Sequence, residues 1–282
     1  MSPKGKILII GGHEDRVDND VEIKNSNEGF LTNEILKLLL VSKEDRIEVI
    51  TAASSEPESM VDSYRKTFDD IGYKNYGFLH DVDHSTPIDR YLKRISAAKT
   101  IFFTGGDQSR ICNHLQNSEI NSLLKEKYRN EEGFMIAGTS AGAMCLPEIV
   151  ICEAENGEAI LAGDIKLNPG LGLLKNLIVD THFVHRGRFG RLTHAVLLHP
   201  DVFGIGLGED TALIIENGRK ALCKGSGMAI MISAANVGQT NINVAEKGCP
   251  VYADNLRVNI LTENCTVDLD TGKLEEPINS ER

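Results

Sequence analysis

The chain has 282 residues, 41% of them hydrophobic and 25% charged, a composition that excludes wholesale disorder and a length that can bury a full core without disulfide staples. Thirty Lys and Arg stand against 41 Asp and Glu, a formal net charge of −11. An acidic chain of this kind lacks the basic footprint of a nucleic-acid binder and is not drawn to an anionic membrane surface.

Strands and helices alternate through the first two-thirds. Lys6 to Ile10 is a short apolar strand that ends in Gly11-Gly12. Phe30 to Leu40 has helical spacing, Arg46 to Ala52 reads as a strand, and Pro57 to Ile71 as a helix with proline in its first turn. Tyr76 to Leu79 is a strand, Ile88 to Ala98 a helix, and Thr100 to Phe103 a strand ending in Thr104-Gly105-Gly106. Arg110 to Gln116 and Glu119 to Tyr128 are helical, and Phe134 to Ala137 is a strand. A short helix over Ala141 to Leu146, an apolar run over Leu177 to Val179 and a helix over Leu192 to Leu198 follow. Continuous apolar strands separated by helices predict an α/β fold, a mostly parallel sheet with helices on both faces. From about Val202 the pattern changes to successive short strands: Phe203 to Gly206, Thr211 to Glu216, Lys220 to Cys223, Ala229 to Ile232, Val258 to Leu261 and Thr266 to Leu269. These predict an antiparallel extension on the sheet edge, so the expectation is one α/β domain over 1–282 with a β-rich part from about 203 onward.

No apolar run approaches the roughly 20 residues of a membrane-spanning helix. Only four apolar residues follow Lys6 before Gly11, too few for a secretory signal. The six cysteines, at 112, 145, 152, 223, 249 and 265, form no CxxC pair and read as scattered reduced thiols. The expected location is the cytoplasm.

Ligands bind open α/β sheets outside the carboxyl ends of the strands. Three such ends carry unusual chemistry: Gly11-Gly12-His13-Glu14, Thr104-Gly105-Gly106-Asp107-Gln108 and Gly138-Thr139-Ser140-Ala141-Gly142. The last is a G-x-S-x-G pattern after an apolar strand and before a short helix, the context of a nucleophile elbow. Its small neighbours suit a sharp turn, and a helix dipole beyond it would favour an oxyanion. An incidental serine on a tight βα turn is the plain alternative.

A serine nucleophile needs a base, and the base an orienter. Of eight histidines, His182 sits at the end of the run Leu177 to Val179, at a strand end. His13, His80, His84, His114, His194 and His199 read as surface or satisfied side chains. Glu209 lies in a glycine-rich, apolar segment, Gly204 to Asp210, where a carboxylate is expected to be buried and paired; Asp210 competes with it. The order Ser140, His182, Glu209 differs from that of α/β-hydrolases, whose histidine comes last. Arg186, Arg188 and Arg191 form a local inversion of charge beside His182, suited to a carboxylate-rich ligand or, equally, to a surface turn paired with the chain's own acids. Gln108 either bonds a substrate amide or simply opens a helix. The amides of Gly105, Gly106 and Ala141 are candidate oxyanion donors.

These motifs, with the Asp180 to Leu192 segment and Gly204 to Thr211, resemble those of cyanophycinases in the same order over nearly the whole chain. Cyanophycinases are a serine peptidase group related to aspartyl dipeptidase (peptidase E), on a scaffold similar to class I glutamine amidotransferases. The resemblance implies hydrolysis of cyanophycin, a poly-aspartate backbone with arginine on each β-carboxyl, to β-Asp-Arg dipeptides. It implies Ser140 as nucleophile, His182 as base and Glu209 as orienter, with Gln108, Asp180, Thr181, Arg186, Arg188 and Arg191 lining the substrate pocket and Asp180 facing a substrate guanidinium. Thr181 stands where a glutamine is expected, and His185 is unusual in its segment. The resemblance also implies a homodimer without metal or organic cofactor. The rival readings are an aspartyl or isoaspartyl dipeptidase on the same scaffold, an amidotransferase-like glutaminase, and a non-catalytic module that holds acidic peptides.

Overall fold

A computed structural model describes residues 2–13, 34–40, 42–80, 88–154 and 160–275. Its first strand, β1 (Lys6–Ile10), shows why the chain folds in layers. Side chains alternate across a strand, so Ile7 and Ile9 enter one apolar cluster while Leu8 and Ile10 enter another. A strand that is apolar on both sides needs cover on both faces. One cover comes from α1 (Glu34–Lys37) and, after β2 (Ile47–Ile50), from α2 (Pro57–Ile71). Leu36, Tyr64 and Phe68 share their cluster with Leu8, Val49 and Phe102. After β3 (Tyr76–Leu79) come α3 (Ile88–Ala97), β4 (Thr100–Phe103), α4 (Gln108–Leu115) and α5 (Glu119–Asn130). Ile95, Ile111 and Leu124 of these helices close the opposite side over Ile101 and Phe103.

Next come β5 (Met135–Thr139), the single turn α6 (Ala141–Met144), and a hairpin of β6 (Ile149–Ala154) and β7 (Ile165–Pro169). A βαβ unit follows, in which β8 (Leu177–Asp180) and β9 (Phe203–Leu207) pair in parallel across α7 (Phe189–Leu198). The remaining strands are β10 (Thr211–Glu216), β11 (Lys220–Gly225), β12 (Ala229–Ser233), β13 (Arg257–Leu261), β14 (Thr266–Asp268) and β15 (Leu274–Glu275). The main sheet runs β15-β14-β11-β10-β1-β5-β4-β2-β3, and a second sheet runs β13-β12-β9-β8. β1, β5, β4, β2 and β3 are parallel, and β10 joins β1 antiparallel.

The expected α/β architecture is present, and β10, β11 and β14 form the antiparallel edge. Phe203 to Gly206, Ala229 to Ile232 and Val258 to Leu261 do not join that edge; they build the second sheet with β8. An apolar strand encodes its burial but not its partner, and here the α7 crossover brings Leu177 opposite Phe203. The β6–β7 hairpin escapes a reading by apolar runs because it carries Glu153, Lys166 and Asn168. β5 extends to Thr139 because Gly138 and Thr139 pair with Ile9 and Ile10. α4 starts at Gln108 rather than Arg110, capped by the Asp107 carboxylate, which accepts from the Ser109 amide at 2.8 Å. Within the helix expected over Phe30 to Leu40, Glu34–Lys37 is helical, whereas residues 30–33 lie outside the described residues. No described helix is long and apolar enough to cross a membrane.

Candidate active site

The carboxyl end of β1 organises the site. The carbonyls of Ile10, Gly11 and Gly12 accept hydrogen bonds from the amides of Ser140 (3.0 Å), His182 (2.9 Å) and Asp210 (3.0 Å). Three consecutive peptide units therefore fix three loops that are distant in sequence: the turn after β5, the turn after β8 and the turn between β9 and β10.

Ser140 sits in the first of these turns at φ 52°, ψ −121°, a backbone state that an L-residue holds at a cost of about 1–3 kcal/mol. The positions two residues to either side are glycines because backbone packs against them: a Cβ at Gly138 would lie 2.3 Å from the Gly142 carbonyl oxygen, and one at Gly142 would lie 2.2 Å from that of Phe103. The helix expected over Ala141 to Leu146 is a single turn, Ala141–Met144, so no macrodipole of consequence acts there. What remains for an oxyanion are individual amides. A Cβ on Gly105 would stand 3.3 Å from that of Ser140, so this backbone flanks the serine. Among the described residues, no acceptor takes the amides of Gly105, Gly106 or Ala141.

The Ser140 hydroxyl lies 3.0 Å from His182 Nε2, and His182 Nδ1 lies 2.7 Å from Glu209 Oε1. A carboxylate beside Nδ1 holds the proton on that nitrogen and leaves the Nε2 lone pair facing the serine. Glu209, not Asp210, makes this contact; the Asp210 carboxylate accepts from the Ser226 hydroxyl instead. Burial lowers the His182 pKa, and the charges of Arg186 and Arg188 lower it further against the opposing pull of Glu209. Burial alone would raise Glu209, but the hydrogen bond from His182 and attraction to His13, His182 and His185 hold it below the ordinary carboxylate range. At neutral pH the pair is thus a neutral imidazole beside a carboxylate, the state in which imidazole accepts a proton. Activity that needs neutral His182 falls as pH drops through its pKa. Arg186→Gln removes one lowering charge, so the acid limb of the pH–rate profile is expected at higher pH than in wild type, measured with a chelator present. An unmoved limb would remove Arg186 from the electrostatics of this histidine.

The arginine cluster divides. Asp180 is fully buried and accepts from the Thr181 amide at 2.8 Å, from Arg188 at 3.2 Å, and from both Nε (2.6 Å) and Nη2 of Arg191. With these donors around it, Asp180 has no face for a substrate guanidinium, which corrects that expectation. Arg188 also donates to the Thr181 carbonyl at 2.8 Å, and burial pushes its pKa down to about 10. Thr181 is fully buried beneath this cluster and does not line an open pocket, a second correction. Arg186 is exposed, and among the described residues its guanidinium has no hydrogen-bond or ion-pair partner. Gln108 commits its side-chain amide to the carbonyls of Ile151 (2.8 Å) and Cys152 (3.3 Å), tying α4 to β6, so any amide group it bonds in a ligand must meet its oxygen.

His13, expected to be a surface or satisfied side chain, is half-exposed and also borders the site. His13 Nε2 stands 3.9 Å from Glu209 Oε1, and its ring meets that of His182 edge-on at 5.8 Å between centroids. Its place directly after Gly11-Gly12 at a strand end was the available signal. Glu14 and His84 lie outside the described residues.

The model of peptidase family S51 matches residues 21–223. The cyanophycinase of Trichormus variabilis is 31% identical over 267 residues, covering 93% of this chain and 85% of its own. That of Synechococcus elongatus is 31% identical over 274 residues, covering 96% and 81%. A peptidase E of a Nostoc species is 26% identical over 203 residues, 70% of this chain and 74% of its own. Among solved structures, a peptidase from an acI-B1 actinobacterium superimposes with a TM-score of 0.62 at 20% identity, over 95% of this chain and 98% of that one. A putative peptidase E from Listeria monocytogenes gives 0.52 at 14%, over 80% and 100%. The chain belongs to peptidase family S51 and is a serine-type peptidase.

Proposed function

We propose that this peptidase hydrolyses the poly-aspartate backbone of cyanophycin, with Ser140 as nucleophile, His182 as general base and Glu209 as its orienter. The observation that carries the chemistry is the contact chain from Ser140 Oγ through His182 to Glu209, at 3.0 and 2.7 Å. The substrate class is supported by the cyanophycinases that match over most of their length, and by Arg186, a cation left open beside the histidine.

His182 Nε2 takes the hydroxyl proton as Ser140 Oγ bonds to a backbone carbonyl carbon of the substrate. The carbonyl oxygen becomes an oxyanion beside the amides of Gly105, Gly106 and Ala141, where one such donor contributes roughly 10²–10³ in rate. The tetrahedral carbon then expels the amine, which receives the proton from His182. Water, deprotonated by the same nitrogen, cleaves the acyl-enzyme and restores Ser140. Arg186 receives a free substrate carboxylate, while Arg188 and Arg191, bound to Asp180, shape the loop that presents it.

Incubation of purified protein with insoluble cyanophycin, followed by mass spectrometry, tests this reading. Release of β-Asp-Arg by wild type and not by Ser140→Ala is expected. Cleavage of β-aspartyl dipeptides with the polymer untouched would transfer the assignment to a dipeptidase. Inertness toward both substrates would overturn it.

A further inference from the structure

We propose that His13, His182 and Glu209 form a binding site for a first-row divalent cation, zinc above all, and that metal bound there stops hydrolysis. One ligand atom from each residue lies within 4.8 Å of the other two. Glu209 Oε1 is central, 2.7 Å from His182 Nδ1 and 3.9 Å from His13 Nε2. Zinc binds imidazole nitrogen and carboxylate oxygen at about 2.0–2.2 Å, which in a tetrahedral arrangement sets ligand atoms roughly 3.3–3.5 Å apart. His13 therefore needs to close inward on Glu209 from 3.9 Å, while the His182–Glu209 pair, now hydrogen-bonded at 2.7 Å, exchanges that proton for the ion and opens by under about 1 Å. His13 is free to make that movement, since its side chain is 49% exposed, and the same exposure gives the ion a way in. Two imidazoles and one carboxylate match zinc and its neighbours rather than magnesium or calcium, which prefer all-oxygen sets. Water fills the fourth position.

The consequence for catalysis does not depend on which nitrogen of His182 binds. Metal at Nε2 occupies the lone pair that would accept the Ser140 proton. Metal at Nδ1 displaces the proton there to Nε2, which then donates instead of accepting. Either way Ser140 loses its base. This inhibitory half rests on the reading of His182 as general base; the binding half does not.

The test uses the Ser140→Ala chain, which keeps all three ligands and cannot turn over. Titration with Co²⁺ is expected to give the intense visible bands of a tetrahedral ion at one equivalent, and Zn²⁺ is expected to displace it. Adding His13→Asn should weaken Zn²⁺ binding by at least about 10-fold in calorimetry and remove the bands. Asn tolerates the positive φ of His13 (46°), and circular dichroism with a thermal melt verifies the fold; His13→Gln serves as a second variant. Equal affinity and spectrum in both variants, or no binding by the parent chain, would overturn the site. In the Ser140 chain, Zn²⁺ should inhibit hydrolysis reversibly, with chelator restoring it and His13→Asn raising the inhibitory concentration by the same factor. Histidine-dependent binding without inhibition would leave the site standing and refute its action on the base. A chain with no hydrolase activity would still answer the binding question through the cobalt spectrum.

Discussion

Ser140→Ala is expected to lower kcat by about 10⁴–10⁶-fold while the protein stays folded, because a nucleophile and its base act as a unit and the loss of one removes the contribution of both. The residual rate belongs to binding and the oxyanion donors. Stability carries an independent part of this prediction. Ser140 and alanine bear the same Cβ, so Ser140→Ala keeps the strain of φ 52°, ψ −121° and its urea midpoint should match wild type. Ser140→Gly loses that strain, and the gain opposes the extra flexibility of glycine in the unfolded chain. The glycine variant should therefore unfold at least as late as the alanine variant. A glycine variant less stable by more than about 1 kcal/mol would mean that the turn is not strained, which would weaken the elbow reading. Active-site titration with a fluorophosphonate completes the test, since label should reach wild type and neither variant.

Asp180→Ala is expected to cost about 3–5 kcal/mol of stability, the range for removing one partner from a buried ion cluster. Arg188 and Arg191, only 17% and 15% exposed, would be left charged and close together. Burial lowers Arg188 to about 10 even while Asp180 pulls it upward, so removing Asp180 takes away the counter-charge that offsets its desolvation. Asp180→Asn keeps the shape and loses the charge, so a smaller loss is expected from it. Urea unfolding followed by circular dichroism measures both. Because Asp180 is fully buried, added salt should not imitate the substitution. The cluster lies two residues from His182, so kcat should fall in Asp180→Asn along with any rise in KM. A pure KM effect would restore Asp180 as a direct contact of the substrate.

The parallel core was legible because β1 and β4 are apolar on both faces and end in glycine, which leaves few alternatives to a buried strand. The meeting of Ser140, His182 and Glu209 was legible for a related reason. Each stands at or next to a strand end where the local composition is otherwise small or apolar, so a polar side chain there calls for an explanation. The place of Asp180 was not legible. Its contacts reach Arg188 and Arg191 through a turn that folds back over the strand end, and spacing alone cannot say whether an arginine faces outward or returns to an acid behind it. His13 was read as a surface or satisfied side chain, and its approach to Glu209 escaped that reading because Glu209 comes almost two hundred positions later. The second sheet escaped because hydrogen-bond partners of short apolar strands are chosen by the crossover between them.

The three carbonyls at the end of β1 also bear on when this protein becomes a catalyst. Ile10 and Gly11 are made before their partners at Ser140 and His182, and the Gly12 carbonyl meets its partner only once Asp210 has left the ribosome. β10, which lies against β1 and whose Thr211 carbonyl receives the Gly11 amide, is made later still. A nascent chain can thus display the nucleophile and the histidine before Glu209 is there to orient the imidazole. The contact that orients His182 is therefore the last part of the Ser140–His182–Glu209 chain to be made, and a chain that stops short of Glu209 lacks it.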